Sequence, residues 1–337
     1  MESTLPLKDK VVLVTGGAGY IGSHACKALS DAGYIPITFD NMVYGHTWAV
    51  RWGPLEQGDI SDRNRLNEVL AAYKPSAIMH FAAYAYVGES VSNPGKYYRN
   101  NVAGSLSLLE AARDFGINNF IFSSTCATYG TPNIVPVNED HPQNPINPYG
   151  ASKLMIEQIL KDFDVAHGIK SISLRYFNVA GADPGCLIGE SHQPETHLIP
   201  LVLDAAIGRR SVIQIYGDNY DTPDGTCIRD YIHVSDLANA HVKALKALES
   251  GSATTAYNLG NGKGFSVREV IAAAEAVTGL RVPIEISPRR PGDPAQLIGD
   301  ASRAKTELGW APKFEKLDAI LATAWRWHQI QNFKELK

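Results

Sequence analysis

The sequence predicts an α/β protein: a doubly wound parallel sheet followed by a smaller α/β region. Three observations carry that reading. Residues 11–32 read as strand, glycine turn, helix. Strand and helix patterns then alternate to about residue 180. Beyond that point loops lengthen and the periodicity becomes broken.

The first element, VVLVTGGAGYIG, opens with four apolar residues, Val11 to Val14, expected as a short buried strand. Gly16, Gly19 and Gly22 follow at three-residue spacing, and helical periodicity then runs through about Ala32. A strand that turns tightly into a helix aims free backbone N–H groups and a positive dipole end at one point. Glycines let a pyrophosphate approach that point without a Cβ in the way. The next strand, Tyr34 to Phe39, is closed by Asp40, whose carboxylate can accept from both ribose hydroxyls and repels a 2′-phosphate. A Rossmann-type sheet that prefers NAD to NADP is therefore expected.

Ser61 is expected to cap the helical run DRNRLNEVLAAY, which ends before Pro75, and Ala77 to Phe81 reads as a strand. Asn93-Pro94 opens a longer helix, about Gly95 to Phe115, stopped by Gly116. Asn119 to Ser123 is another strand. Pro148 suits the first turn of a helix running to about His167, and Ser171 to Tyr176 is a further strand. In such sheets ligands bind beyond the carboxyl ends of the strands, so Asp59, Phe81, Ser123 and Tyr176 are expected around one cleft. The division is drawn as 1–180 for the cofactor and 181–337 for the substrate, with a segment near 231–258 returning to the first. In the second part Ser235 to Leu248, Ser266 to Thr278 and Leu317 to Ile330 are helical by period, the last carrying Trp325 and Trp327.

The 337 residues, 45% hydrophobic and 20% charged with a net charge of −4, describe an ordinary globular chain and argue against general nucleic-acid or membrane-surface binding. Cys26, Cys126, Cys186 and Cys227 form no C-x-x-C pair, so neither a disulfide framework nor a zinc site is expected from them. MESTLPLKDK contains no signal-like apolar run, and no stretch approaches membrane-spanning length. A cytoplasmic protein is the expectation.

Tyr149 and Lys153 lie four residues apart, on one helical face, in the only Tyr-x-x-x-Lys among fifteen tyrosines. A phenol with a pKa near 10 is a poor base at neutral pH. A neighbouring ammonium and a positive nicotinamide ring favour its phenolate. Thr125, 24 residues earlier at a strand end, could position a substrate hydroxyl for deprotonation or could simply cap the strand. Glu190, His192, Glu195 and His197 lie in a loop without metal-ligand spacing and read as solvated, so no metal is expected. His233 reads as a core or capping histidine and His80 as structural.

The segments TGGAGYIGSH, HFAAYAYVGESV, FIFSSTCATYG to NPYGASK, LRYFNVAGADP, DGTCIRDYIHVSDLA and PRRPGDPAQL resemble the UDP-glucose 4-epimerase family of extended short-chain dehydrogenase/reductases. The resemblance spans nearly the whole chain. It implies a retained NAD, with Tyr149 as proton acceptor from the sugar O4, Lys153 also on the nicotinamide ribose and Thr125 as hydroxyl partner. Cofactor contacts implied, beside Gly16, Gly19 and Gly22, are Tyr20, Ile21, Asp40, Asn41, Asp59, Ile60, Phe81, Ala82, Asn100 and Tyr176. Those implied for a UDP-sugar are Asn178, His197, Leu198, Tyr216, Arg229, Arg290, Asp293 and Leu297. Two arginines suit a diphosphate and a tyrosine face suits uracil, while Arg229 could instead pair with Asp230 or Asp236. A homodimer through about 95–115 and 149–165 is also implied.

Ala85 stands where some relatives have lysine, and Ala85-Tyr86, STCATYG and INPYG resemble the branch holding plant UDP-arabinose 4-epimerases and rhizobial-type enzymes. Leu297 is intermediate in bulk at a position thought to admit larger sugars when small, and His197 replaces an asparagine. UDP-glucose/UDP-galactose and UDP-xylose/UDP-arabinose therefore both stay open. A 4,6-dehydratase carries Asp-Glu after the threonine and a decarboxylase tends to keep an acid there, whereas this chain has Cys126-Ala127. A non-catalytic NAD-binding regulator usually lacks the tyrosine or lysine, and a net dehydrogenase would consume NAD.

Overall fold

A computed structural model describes residues 10–290 and 292–335. The N-terminal stretch read above for a signal peptide lies, up to residue 9, outside them. Strands are β1 (Val11–Thr15), β2 (Ile35–Asp40), β3 (Leu55–Gln57), β4 (Ala77–His80), β5 (Asn119–Thr125), β6 (Lys170–Tyr176), β7 (Asn178–Ala180), β8 (Ile213–Tyr216), β9 (Ile228–His233), β10 (Thr255–Leu259), β11 (Gly264–Ser266), β12 (Ile284–Ser287) and β13 (Gln296–Leu297). Helices are α1 (Tyr20–Asp31), α2 (Arg63–Tyr73), α3 (Val87–Ser92), α4 (Pro94–Tyr97), α5 (Gly104–Asp114), α6 (Pro148–His167), α7 (Leu198–Ala206), α8 (Val234–Glu249), α9 (Val267–Thr278), α10 (Ser302–Glu307) and α11 (Leu317–Glu335).

Seven strands form one parallel sheet in the order β10-β6-β5-β4-β1-β2-β3. The order reverses at β1, which places a ligand crevice beyond its carboxyl end. Alternation along β1 divides the core. Val12 and Val14 face α1 and α8 with Ile121, Leu174, Leu237 and Leu245, while Leu13 faces α2, α5 and α6 with Phe120, Leu66, Leu109 and Ile156. Each such side chain, fully buried, contributes about 1.5–3 kcal/mol. A third cluster, Ile199, Leu203, Ile215, Val270, Ile271 and Leu321, joins α7, β8, α9 and α11.

Several boundaries differ from the sequence reading. Asp62, not Ser61, caps α2 by accepting from Arg65 N, because the Ser61 hydroxyl is taken by Asp59 Oδ1 at 2.6 Å. The helix expected from Gly95 opens at Pro94 behind Asn93, but residues 98–103 are π-helical between α4 and α5. Helix α3 and the strands β11 and β13 carry too few residues to show a period; β8, β9, β10 and β12, of four to six residues, and helix α7 also escaped the reading. His233 both caps α8, accepting from Ser235 N at 3.1 Å, and is buried against Phe314. No helix among the described residues is long and apolar enough to cross a membrane.

Candidate functional site

The glycine turn is built by exclusion. Gly16 has φ +73°, and a Cβ there would sit 2.7 Å from Ala82 N; a Cβ on Gly22 would sit 2.1 Å from Gly16 O. The turn therefore lies flat on the Phe81–Ala82 backbone, and α1 starts at Tyr20 behind Gly19. The N–H groups of its first turn, at Tyr20, Ile21 and Gly22, have no intrahelical acceptor. The Tyr20 hydroxyl is spent on Gly181 O at 2.6 Å, so only its backbone faces this task.

Asp40 ends β2 beside the turn, accepting from Ala18 N at 3.0 Å and Met42 N at 2.8 Å. Burial raises its pKa and those two N–H groups oppose the rise. A carboxylate has about four lone-pair sites, so it keeps acceptor capacity for a diol. Asn41 Nδ2 donates to Asp59 at 2.8 Å. Burial pulls Asp59 up, yet hydrogen bonds from Ser61 and Asn41 leave it below its usual range. Ile60 packs on Gly104, where a Cβ would lie 2.8 Å from it, and Asn100 sits in the π-helical segment, donating to Asn101 Oδ1 at 2.9 Å. Such segments often mark functional positions.

Asn147 caps α6 through Gly150 N at 2.8 Å, with Pro148 in the first turn, and this aims Tyr149 and Lys153 at the ends of β5 and β6. Lys153 is 2% exposed and its Nζ donates to Ser123 O at 2.8 Å, 4.9 Å from the Phe122 ring centre. Burial lowers its pKa to about 7, against a pull upward from Glu157. Burial pushes Tyr149 up to about 12, while a hydrogen bond from Thr125 opposes the rise. The ammonium expected beside the phenol is thus engaged by the Ser123 carbonyl, and the phenol of this chain alone is a weaker acid than a free one. Thr125 pairs with Tyr176 in the sheet register, Ser123 Oγ hydrogen-bonds the Tyr176 hydroxyl, and Thr125 also accepts from Ala127 N as a strand-end cap.

Behind Lys153 lies a buried ion pair that sequence reasoning missed. Glu157 accepts from Arg175 Nη2 at 2.6 Å and from Ser124 Oγ at 2.5 Å, and Arg175 Nη1 donates to Tyr129 Oη at 2.8 Å. The available signal was spacing: Tyr149, Lys153 and Glu157 form one four-residue ridge.

On the other side, Arg229 pairs with Asp293 rather than with Asp230 or Asp236. Asp230 is occupied by the N–H groups of Asn261, Gly262 and Gly299, and Asp236 by those of Lys313 and Phe314. Arg290 stacks 3.9 Å over the Tyr216 ring, so that face is covered by a cation, and Asp293 N donates to Arg290 O at 3.3 Å. Leu297 lies in register with Arg229 and packs against Cys126, Tyr129, Val137 and Phe177, next to Thr125. Asn178 is in register with Tyr231. His197 caps the start of α7 before Leu198, with its Nδ1 2.9 Å from Glu195 and 2.8 Å from Glu190. The loop read as solvated is instead gathered: Glu190, His192, Glu195 and His197 converge, three of them largely buried. Two-residue steps on either side of Pro194 turn them to one point, which a search for helical ligand spacing misses. The four cysteines are free thiols, and burial pushes Cys126 up to about 12.

Residues 12–260 match the family described as "NAD dependent epimerase/dehydratase family". A UDP-glucose 4-epimerase of Rhizobium leguminosarum bv. trifolii is 54% identical over 97% of this chain and 99% of its own length. The crystal structure of a UDP-glucose 4-epimerase from Brucella ovis in complex with NAD superposes with a TM-score of 0.92 at 52% identity, covering 94% of this chain and 98% of that one. A UDP-glucose-4-epimerase structure from Stenotrophomonas maltophila with bound NAD and formylated UDP-arabinopyranose gives a TM-score of 0.93 at 40% identity, covering 96% and 99%.

Proposed function

The chain belongs to the NAD dependent epimerase/dehydratase family, and from that premise we infer that it is a UDP-glucose 4-epimerase, an isomerase interconverting UDP-glucose and UDP-galactose with NAD as cofactor. The observation that carries the reading is the convergence of Thr125, Tyr149, Lys153 and Tyr176 at the carboxyl ends of β5 and β6, in the sheet whose β1 feeds the glycine turn.

The residues present fit NAD. The turn admits no Cβ at Gly16 or Gly22, the first N–H groups of α1 suit a diphosphate, and Asp40 keeps acceptor capacity for a ribose diol. Tyr20, Ile21, Asn41, Asp59, Ile60, Phe81, Ala82 and Asn100 complete the proposed cofactor contacts. The chemistry NAD supplies when bound is reversible hydride acceptance from sugar C4 beside a positive ring, so none is consumed. Tyr149 Oη takes the O4 proton and later returns it, and Thr125 Oγ1 orients that hydroxyl. Bringing the phenol from about 12 to about 7 requires about 7 kcal/mol of differential stabilisation. Lys153, poised near neutrality, is the chain's own source of nearby positive charge. Asn178, His197, Leu198, Tyr216, Arg229, Arg290 and Asp293 are proposed to line the UDP-sugar site, Asp293 keeping Arg229 extended until a diphosphate takes its place on the guanidinium.

Cys126 argues against the dehydratase alternative, because a thiol held near 12 offers no acid or base beside Thr125 at neutral pH. Leu297, packed into the Cys126–Phe177 cluster, supports a pocket for hexoses and pentoses and against N-acetylated sugars. The pentose seen in the Stenotrophomonas neighbour supports UDP-xylose and UDP-arabinose as additional substrates. We further propose a cytoplasmic homodimer through residues 95–115 and 149–165, supported by exposed Leu106 and Met155, and a division near residue 180 with 231–258 returning to the first part.

Anaerobic incubation without added NAD, using UDP-galactose, UDP-xylose and UDP-N-acetylglucosamine at equal concentration, tests the reading by chromatography. The expected result is a 4-epimer from UDP-galactose with no cofactor consumed, and UDP-N-acetylglucosamine slowest. Retained NAD with no sugar converted would move the non-catalytic alternative ahead. A monomeric mass in light scattering would remove the dimer.

A further inference from the structure

The segment 190–197 holds chemistry that epimerisation leaves largely unused. One ligand atom from each of Glu190, His192, Glu195 and His197 lies within 4.8 Å of all the others. His197 Nδ1 stands 2.8 Å from Glu190 Oε1 and 2.9 Å from Glu195 Oε1. His192 Nδ1 stands 3.2 Å from Glu190 Oε1 and 3.4 Å from Glu195 Oε2. Four ligands placed tetrahedrally about an ion with bonds of about 2.0 Å are about 3.3 Å apart; the His–Glu separations of 2.8–3.4 Å lie near that spacing, and the whole set falls within 4.8 Å.

A second observation concerns direction. His192 Nδ1 is buried between two carboxylates, 3.2 Å from Glu190 Oε1 and 3.4 Å from Glu195 Oε2, and is well aligned for a short hydrogen bond with neither. That is the arrangement of a ligand sharing a central ion with its neighbours rather than donating along one line. The segment is also held from three sides independently of these contacts. Trp327 Nε1 donates to Glu190 O at 2.9 Å, His46 Nε2 meets Ser191 O at 2.9 Å, and the Tyr86 hydroxyl donates to Pro194 O at 3.0 Å. A neighbouring cavity of about 260 Å³, reaching Asp204, Trp327 and His328, gives an ion a way in.

We propose that Glu190, His192, Glu195 and His197 form a structural zinc site. Two imidazoles and two carboxylates match the nitrogen and oxygen preferences of zinc, and four protein ligands close its coordination. Two carboxylates balance the ion's charge. Where the imidazoles are protonated before binding, the ion replaces two protons, which go to solvent. The site clamps the segment to the start of α7, where His197 precedes Leu198, and so fixes residues that the proposed function assigns to the sugar nucleotide.

The test uses untagged, full-length enzyme with its retained cofactor, stripped with EDTA and titrated with Co²⁺ as spectroscopic probe. Tetrahedral d–d absorption saturating at one equivalent, and displaced by Zn²⁺, is expected. His192→Gln and Glu195→Gln should lose the one-equivalent step while keeping wild-type circular dichroism. His192→Cys retains four ligands and should add a thiolate-to-cobalt band in the near ultraviolet, which keeps the proposal testable if either Gln variant fails to fold. Absence of d–d absorption, or equal binding in wild type and variants, overturns the site and leaves an ion-pair latch. None of these readouts depends on epimerase turnover.

Discussion

The two sides of the cleft are made of different material. On the side proposed for the cofactor the groups on offer are main chain held in place by what is missing, no Cβ at Gly16 or Gly22, and an Asp40 carboxylate steadied by the N–H groups of Ala18 and Met42. On the side proposed for the sugar nucleotide they are long side chains borne on loops and short strands, engaged with one another as Arg229 with Asp293 and Arg290 with Tyr216. The first kind of site has its groups placed by the backbone before anything binds. The second must exchange partners, and its affinity is the difference between what it holds and what it could hold.

The largest effect should fall where the sides meet. Tyr149→Phe should cost about 10³-fold in turnover while the purified protein keeps its NAD absorbance. A variant that also loses NAD would mean the phenol belongs to the cofactor side alone. Next, Arg175→Met, which strands the buried Glu157 carboxylate, should cost about 3–5 kcal/mol in urea unfolding. Arg229→Met, whose partner Asp293 is partly exposed, should barely change stability but raise KM about 10–100-fold, the equivalent of about 1.5–3 kcal/mol for a charged hydrogen bond. Equal stability losses in these two variants would erase the contrast.

Gly22→Ala forces a Cβ onto Gly16 O and should cost about 1–3 kcal/mol, with loss of retained NAD measured by absorbance. The smallest effect is a slope. Burial holds His24 and His241 near 4 and His80 and His233 near 3. The unfolded chain takes up these protons below about pH 6.5 and the folded one does not. The stability these four contribute is whole above that pH and is lost as pH falls towards 4 for His24 and His241 and towards 3 for His80 and His233, by about 1.4 kcal/mol per pH unit for each histidine. His241→Gln should flatten the urea-derived slope between pH 6 and 5 by that amount.

Legibility followed the same division. The glycine turn, Asp40 at its strand end, the Tyr149 and Lys153 face of α6 and the parallel sheet could be read because a period or a backbone requirement writes each into neighbouring residues. Nothing local announces that Arg229 finds Asp293 64 positions away, that Arg175 crosses to Glu157, or that a Pro-interrupted segment turns Glu190 and His197 together. Ser61 was misread because Ser61 and Asp62 are both good caps, and only the hydroxyl's capture by Asp59 decides between them.

The seventh strand, β10, is laid against β6 by a chain that has already left to build α7, β8 and β9. Synthesis runs in one direction, so β6 offers an open row of N–H and C=O groups until Leu259 has emerged from the ribosome. The nucleotide-binding sheet is therefore a late product of translation despite its early motif. A fragment ending near residue 180 would contain every glycine of the turn and still leave β6, an inner strand of the finished sheet, as its edge.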